Sequence, residues 1–225
     1  MSLADNYNHV LKDIDTGKVT LVAVSKTHPA EKIKELYEAG CRNFGENKVQ
    51  EMESKAGLLP KDIKWHMIGH LQTNKVKYMA GFVHLIHSVD SLKLLSEINR
   101  QAEKHNRTIN CLLEMFIANE ETKFGLNETE ALDLLKDNAY KQMRHIRIIG
   151  LMGMASNTTD VDQVHREFRS LKEFFETIKT GIFAGNSEFN ILSMGMSGDY
   201  KIAIEEGSTM VRVGSAIFGE REYVI

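Results

Sequence analysis

The chain has 225 residues, 42% of them hydrophobic and 26% charged, with 28 Lys and Arg against 31 Asp and Glu. That is enough length for one large domain or two small ones, and enough apolar content for a real core, which excludes wholesale disorder. A net charge of −3 gives no broad attraction to nucleic acid or anionic membrane, and no apolar run nears the roughly 18 residues of a membrane helix.

Met1 to Asp15 carries Asp5, Asp13 and Asp15 and lacks the apolar core of a signal peptide, so a cytoplasmic location is expected. The segment reads as an extra N-terminal helix. Val19 to Ser25, VTLVAVS, is a nearly continuous apolar run of the kind a buried parallel strand shows. Glu31 to Ala39 follows with helical spacing. Arg42 to Gly45 is a very short second strand, with a helix from Lys48 to Lys55 behind it. Ile63 to Ile68 is the third strand. Val83 to Val89 is the fourth and leads into a helix over Ser91 to Lys104, where Leu92, Leu95 and Ile98 share a face. Thr108 to Ala118 is the fifth and longest run; Glu120, Glu121 and Lys123 after it read as a solvated loop. Asn127 followed by Glu130 is a capping signal for a helix to Leu135. Ile146 to Met152 is the sixth strand, and Val161 to Lys179 a helix with an apolar stripe. Phe189 to Ser193, a short helix over Asp199 to Glu205, and Thr209 to Val213 complete the order.

About eight strand–helix units argue for a parallel sheet with helical crossovers. Eight repeats point to a (β/α)₈ TIM barrel spanning residues 1–225 as one domain, a fold that runs as short as about 200 residues. A doubly wound open sheet is the alternative, weakened because no Gly-rich fingerprint follows the first strand. Cys41 and Cys111 lie in unrelated surroundings and form no disulfide framework or CxxC pair. His66 and His70 have the spacing of a helical metal pair, but Gly69 between them and a strand-then-loop context argue against a metal. His84 and His87 read as rim or core histidines.

Functional groups of such a barrel cluster where strands end. Lys26, Asn47, His66, Met154, Ser193, Ser197 and the stretch Arg212 to Gly219 all lie at or just after apolar runs and face one rim. A lysine ending an apolar strand either reaches water or is held as an amine at an apolar mouth. In the second case desolvation favours the neutral form, nucleophilic toward an aldehyde. Gly214 and Ser215 after the eighth strand, with Ser193, Gly195, Ser197 and Gly198 from the neighbouring loop, read either as plain turns or as a cup for a phosphate. Together an amine and such a cup suit a phosphorylated aldehyde. Arg212 reads as a rim salt bridge or as a donor to a ring nitrogen, which it would keep unprotonated. Met152, Met154, Met194 and Met196, in two MGM triplets, read as soft lining around a flat ligand or as ordinary packing.

The ordered segments AVSKTHP (Ala23 to Pro29), FGEN-VQE (Phe44 to Glu51), WHMIGHLQTNK (Trp65 to Lys75), GLMGMA (Gly150 to Ala155), LSMGMSGD (Leu192 to Asp199) and GSTMVRVGSAIFGER (Gly207 to Arg221) resemble the pyridoxal phosphate homeostasis proteins. The resemblance implies a barrel like the N-terminal domain of alanine racemase, with pyridoxal 5′-phosphate held as an internal aldimine on Lys26. It further implies Ser193, Ser197, Gly214 and Ser215 on the phosphate side, and Arg212 facing the pyridine nitrogen. Asn47, His66 and Met154 border the cofactor in the same way. Lys48 and Phe116 depart from the family pattern. The family buffers, carries or delivers the cofactor, so a non-catalytic carrier is expected, with cofactor-dependent apo-enzymes as partners and a monomeric state.

The rival is a racemase-like enzyme. Two-base racemisation needs an acid/base on each face of the substrate. In the related racemases the second is a tyrosine of a further domain; here the sequence runs only to Ile225, and Tyr223 in the tail has no clear placement. An arginine-paired pyridine is also a poor carbanion sink. A Schiff-base aldolase for sugar phosphates is a third, weaker reading.

Overall fold

The computed structural model describes residues 2–118 and 125–219. Glu120, Glu121, Lys123 and Tyr223 lie outside the described residues. Eight strands, β1 (Thr20–Val24), β2 (Asn43–Glu46), β3 (Lys64–Met67), β4 (Leu85–Val89), β5 (Ile109–Met115), β6 (Ile146–Gly153), β7 (Ile191–Ser193) and β8 (Met210–Val213), form a closed barrel. Every pairing is parallel, and β8 closes onto β1 with Arg212 opposite Val22. The alternation of apolar runs and helical patterns has this cause: each parallel pair needs a crossover, and the crossovers cover the sheet's outer face.

The helices are α1 (Leu3–Lys12), α2 (Ala30–Glu38), α3 (Val49–Leu58), α4 (Leu92–Lys104), α5 (Glu128–Lys136), α6 (Asn138–Gln142), α7 (Val161–Thr180), α8 (Tyr200–Glu205) and α9 (Ser215–Phe218). The capping signal at Asn127 is realised in both directions: its side chain accepts the Glu130 N–H and the Glu130 carboxylate accepts the Asn127 N–H. The stripe of α7, including Phe168, Leu171, Phe175 and Ile178, is buried against the barrel, each such side chain contributing about 1.5–3 kcal/mol. Three features differ from the sequence expectation. The third crossover is a 3-10 turn over Thr73–Tyr78, β5 ends at Met115, and β7 has three residues. Chain-local apolar runs overstate strands because a residue just past the barrel still packs under the crossover helices.

Two apolar layers result. The larger lies between sheet and helices; the smaller, Val22, Leu85, Leu112, Met152 and Met210, plugs the barrel interior. Interior filling by side chains is what an eight-stranded barrel of this width requires. α1 supports the seam, where the Asn6 side-chain amide donates to the Ile217 carbonyl at 3.0 Å. Cys41 and Cys111 are both buried free thiols, and burial pushes the Cys41 pKa up to about 11. No helix among the described residues is long and apolar enough to cross a membrane.

Candidate functional site

Above the apolar plug, at the C-terminal ends of the strands, a cavity of about 270 Å³ opens to solvent. One wall comes from β1 and the loops after β1 to β3: Val24, Lys26, His28, Asn47 and Ile68. The opposite wall comes from the ends of β6 to β8 and their loops: Met154, Met196, Ser197, Gly198, Gly214 and Ser215. Arg212 lies between them. A ring stack between His28 and Phe218, centroids 4.6 Å apart, ties the two sides across the β1–β8 seam.

Local structure explains the placements. Lys26 follows β1 and is half-buried, the second residue of a turn from Ser25 to His28 whose N–H donates to the Ser25 carbonyl at 3.1 Å. Asn47 is brought in by close backbone approach: a Cβ on Gly69 would lie 2.6 Å from the Asn47 carbonyl oxygen, so only glycine fits there. On the far wall the Ser197 hydroxyl accepts the Gly214 N–H at 3.0 Å, joining the loops after β7 and β8. Gly198 faces open space, with no atom of the described residues within 4 Å of where a Cβ would stand.

Beneath the cavity runs a buried polar chain. Arg212 donates through Nη1 to Ser193 Oγ at 2.7 Å and to the Ser193 carbonyl at 2.8 Å, and through Nη2 to the Gly153 carbonyl at 3.1 Å. Ser193 Oγ lies 3.1 Å from His87 Nδ1, His87 Nε2 lies 2.9 Å from His66 Nδ1, and His66 Nε2 lies 3.1 Å from Asn43 Oδ1. A guanidinium only donates and an amide oxygen only accepts. The chain therefore has one direction, with both imidazoles protonated on Nε2 and the Ser193 hydroxyl donating to His87. Burial draws the His66 pKa down to about 3 and holds His87 well below the imidazole range, so both rings are neutral at pH 7. Burial also lowers Arg212, to about 10, against the carboxyls of Asp199 and Glu114, and it stays a cation. Burial pushes Glu114 up to about 7, with Asp90 adding to the shift and Arg212 opposing it.

Comparison with known proteins follows the same lines. A model of the alanine racemase N-terminal domain family matches residues 1–222. The pyridoxal phosphate homeostasis protein of Aquifex aeolicus is 40% identical over 208 residues, covering 90% of this chain and 87% of that one. Its namesake in Vibrio alginolyticus is 37% identical, with 99% of both chains covered. The chain belongs to the pyridoxal phosphate homeostasis protein family. Among solved structures, PipY of Synechococcus elongatus without PLP is 33% identical, with a TM-score of 0.89 over 97% of this chain and 100% of that one. PipY with PLP bound is 32% identical, with a TM-score of 0.85 over 97% and 100% of the two chains. Alanine racemase of Bartonella henselae, at 15% identity and a TM-score of 0.73 over 98% of this chain and 63% of that one, shares the fold.

In this member of the pyridoxal phosphate homeostasis family, the nine predicted site positions divide in two. Lys26, Asn47, Met154, Ser197, Arg212, Gly214 and Ser215 line the cavity. His66 and Ser193 do not; they are buried below it, and the hydrogen-bonded chain links them to the cavity through Arg212. Among the described residues Arg212 makes no salt bridge; its partners are Ser193 and the Gly153 carbonyl. The methionines divide likewise: Met154 and Met196 stand at the mouth, while Met152 and Met194 are core. Lys48 and Phe116, where a departure from the family pattern is expected, are not among the residues lining the cavity. Sequence reasoning missed the structural part played by His87, His28 and Asn43. For His87 the signal was present, since Leu85 and His87 alternate onto the interior face of β4. Among the described residues no group of three His, Cys, Asp or Glu side chains is placed to hold a metal.

Proposed function

We propose that this protein binds pyridoxal 5′-phosphate in the cavity and serves cofactor homeostasis as a carrier, the whole chain acting as one cofactor-binding barrel. The single observation that carries the reading is the pairing of opposite walls: the Lys26 amine on one, hydroxyls and glycine backbone on the other, one cavity between them.

The residues fit the group. When bound, the cofactor supplies an aldehyde that a neutral amine condenses with, releasing one water. Lys26 is the residue that would supply that amine. Ser197, Gly198, Gly214 and Ser215 would hold the phosphate, because glycine lets backbone donors approach closely and the space at Gly198 is unfilled. Arg212 would face the ring nitrogen as a permanent donor. Asn47 and Met154 would border the ring. His66 and Ser193 would act from below by holding Arg212. The cofactor, and apo-enzymes that use it, are the proposed partners.

The relatives' name supports a carrier over an enzyme, and the alanine racemase likeness is one of fold alone. An arginine-paired ring would also stabilise a carbanion poorly. The test is an absorption spectrum of the purified protein with added pyridoxal 5′-phosphate, before and after borohydride, followed by peptide mapping. The reduced adduct is expected on Lys26 and is expected to vanish in Lys26→Ala. An adduct elsewhere overturns the assignment, and sustained formation of D-alanine from L-alanine overturns the carrier.

A further inference from the structure

Lys26 is held in an unfavourable turn. Lys26 and Thr27 are the central residues of the Ser25 to His28 turn, and Thr27 has φ of 69°. A turn with a left-handed residue in that place suits glycine or asparagine; a β-branched threonine resists it. Such a conformation persists only where its surroundings over-determine it.

The surroundings are one ionic cluster on α3 and β2. Glu51 Oε1 accepts the Thr27 N–H at 2.6 Å. Lys55 Nζ donates to the Ser25 carbonyl at 2.9 Å, to Glu51 Oε1 at 2.6 Å and to Glu46 Oε1 at 2.8 Å. The Ser25 hydroxyl also donates to Glu46 Oε1, at 2.5 Å. The residues on both sides of Lys26 are thus gripped by one linked cluster: Thr27 by Glu51, and Ser25 by Lys55 and Glu46, with Lys55 bonded to both carboxylates. Glu46 and Lys55 are buried, and neither they nor Glu51 reaches the cavity wall. Buried ion pairs add little net stability, but they hold the groups they touch in one geometry.

We propose that Glu51 and Lys55, backed by Glu46, are positioning residues for Lys26: they clamp the turn in its left-handed form and so present the amine to the cavity. This rests on the reading of Lys26 as the cofactor-binding amine and deepens it. Released from the clamp, the turn relaxes toward the backbone threonine prefers, and the amine leaves its place.

Three variants test it: Glu51→Ala, Thr27→Gly and the two combined, with Glu51→Gln as the conservative control and urea unfolding to follow the fold. Glu51→Ala is expected to raise the dissociation constant for pyridoxal 5′-phosphate on the order of tenfold and to slow borohydride trapping at Lys26. Without cofactor, it is expected to speed hydrogen exchange at the Thr27 amide by a similar factor. Glu51→Gln keeps an acceptor and should stay within about threefold of the parent. Thr27→Gly removes the resistance to the left-handed turn, so in the double variant most of the loss should be recovered. The clamp is overturned if Glu51→Ala leaves Thr27 exchange and affinity unchanged while the parent traps at Lys26. It is equally overturned if Thr27→Gly gives no recovery, since a merely structural Glu51 would not respond to that change. A parent adduct mapping away from Lys26 instead sinks the functional reading, while Thr27 exchange still reports on the clamp.

Discussion

The two walls of the cavity are built on opposite principles. Behind Lys26 stand buried charges, Lys55 against Glu46 and Glu51, and a turn in an uncommon backbone conformation. The facing wall is neutral: the hydroxyls of Ser197 and Ser215, the glycines 198 and 214, and, at Gly198, open space among the described residues where a side chain would stand. A group that forms one bond to one atom needs a single fixed direction, which ion pairs and a locked turn supply. An anion with several equivalent oxygens needs many donors at close range and little steric bulk, which glycine and serine supply. The first wall is rigid by design of its partners, the second accommodating by absence of side chains.

That contrast breaks most visibly at Lys55. Lys55→Met leaves Glu46 buried without its cation, and global stability measured by urea unfolding is expected to fall by about 3 kcal/mol. A loss below about 1 kcal/mol would mean the cluster is solvated and the two walls are more alike than they look. On the neutral wall the expected outcome is reversed. Gly198→Val fills the open space, so cofactor affinity should drop by more than about tenfold while the unfolding midpoint stays put. Equal loss of stability and affinity there would make Gly198 a packing residue.

The smallest effect is in pH dependence, and it sharpens the same contrast. His66 and His87 are held below the ordinary 6.5, so the unfolded chain takes up their protons first. Their contribution is complete above about 6.5 and falls as pH drops, by about 1.4 kcal/mol per pH unit for each ring. Glu46 and Glu114, both pushed up to about 7 by burial, work the other way. The fold takes their protons first, so stability rises as pH falls from about 7 toward the ordinary 4.5. The two pairs offset each other between about 6.5 and 4.5, giving a nearly flat profile there and a steep fall below. Urea midpoints across that range check it. Glu46→Gln should tilt the flat region, and Gly198→Val should leave it unchanged.

How much of this was legible beforehand depends on range. Lys26, Asn47, Ser197 and Gly214 were readable as rim residues because each lies within a few residues after an apolar run, and a parallel barrel puts strand ends on one rim. His66 and Ser193 are expected from the sequence to border the cofactor, and the structure buries both beneath the cavity rather than on its wall. A residue inside a four-residue strand such as β3, or at the end of a three-residue one such as β7, gives no local sign of how deep it sits. His87 carries a local sign, its alternation with Leu85 on β4, but its bond to Ser193 exists only because β4 and β7 come within reach across the interior. Glu46, Glu51 and Lys55 sat within or beside a recognised motif, yet their contact with the turn joins residues more than 20 positions apart.

The sequence alone determined the alternation of strand and helix, hence the barrel, and the identity of the rim residues, because periodicity and strand ends are local properties. Tertiary structure alone decided which rim residues share a cavity, which polar residues lie beneath it, and what grips the lysine. Those depend on barrel closure, which brings β8 against β1 and opposite strands within hydrogen-bonding reach, distances that chain-local pattern does not encode.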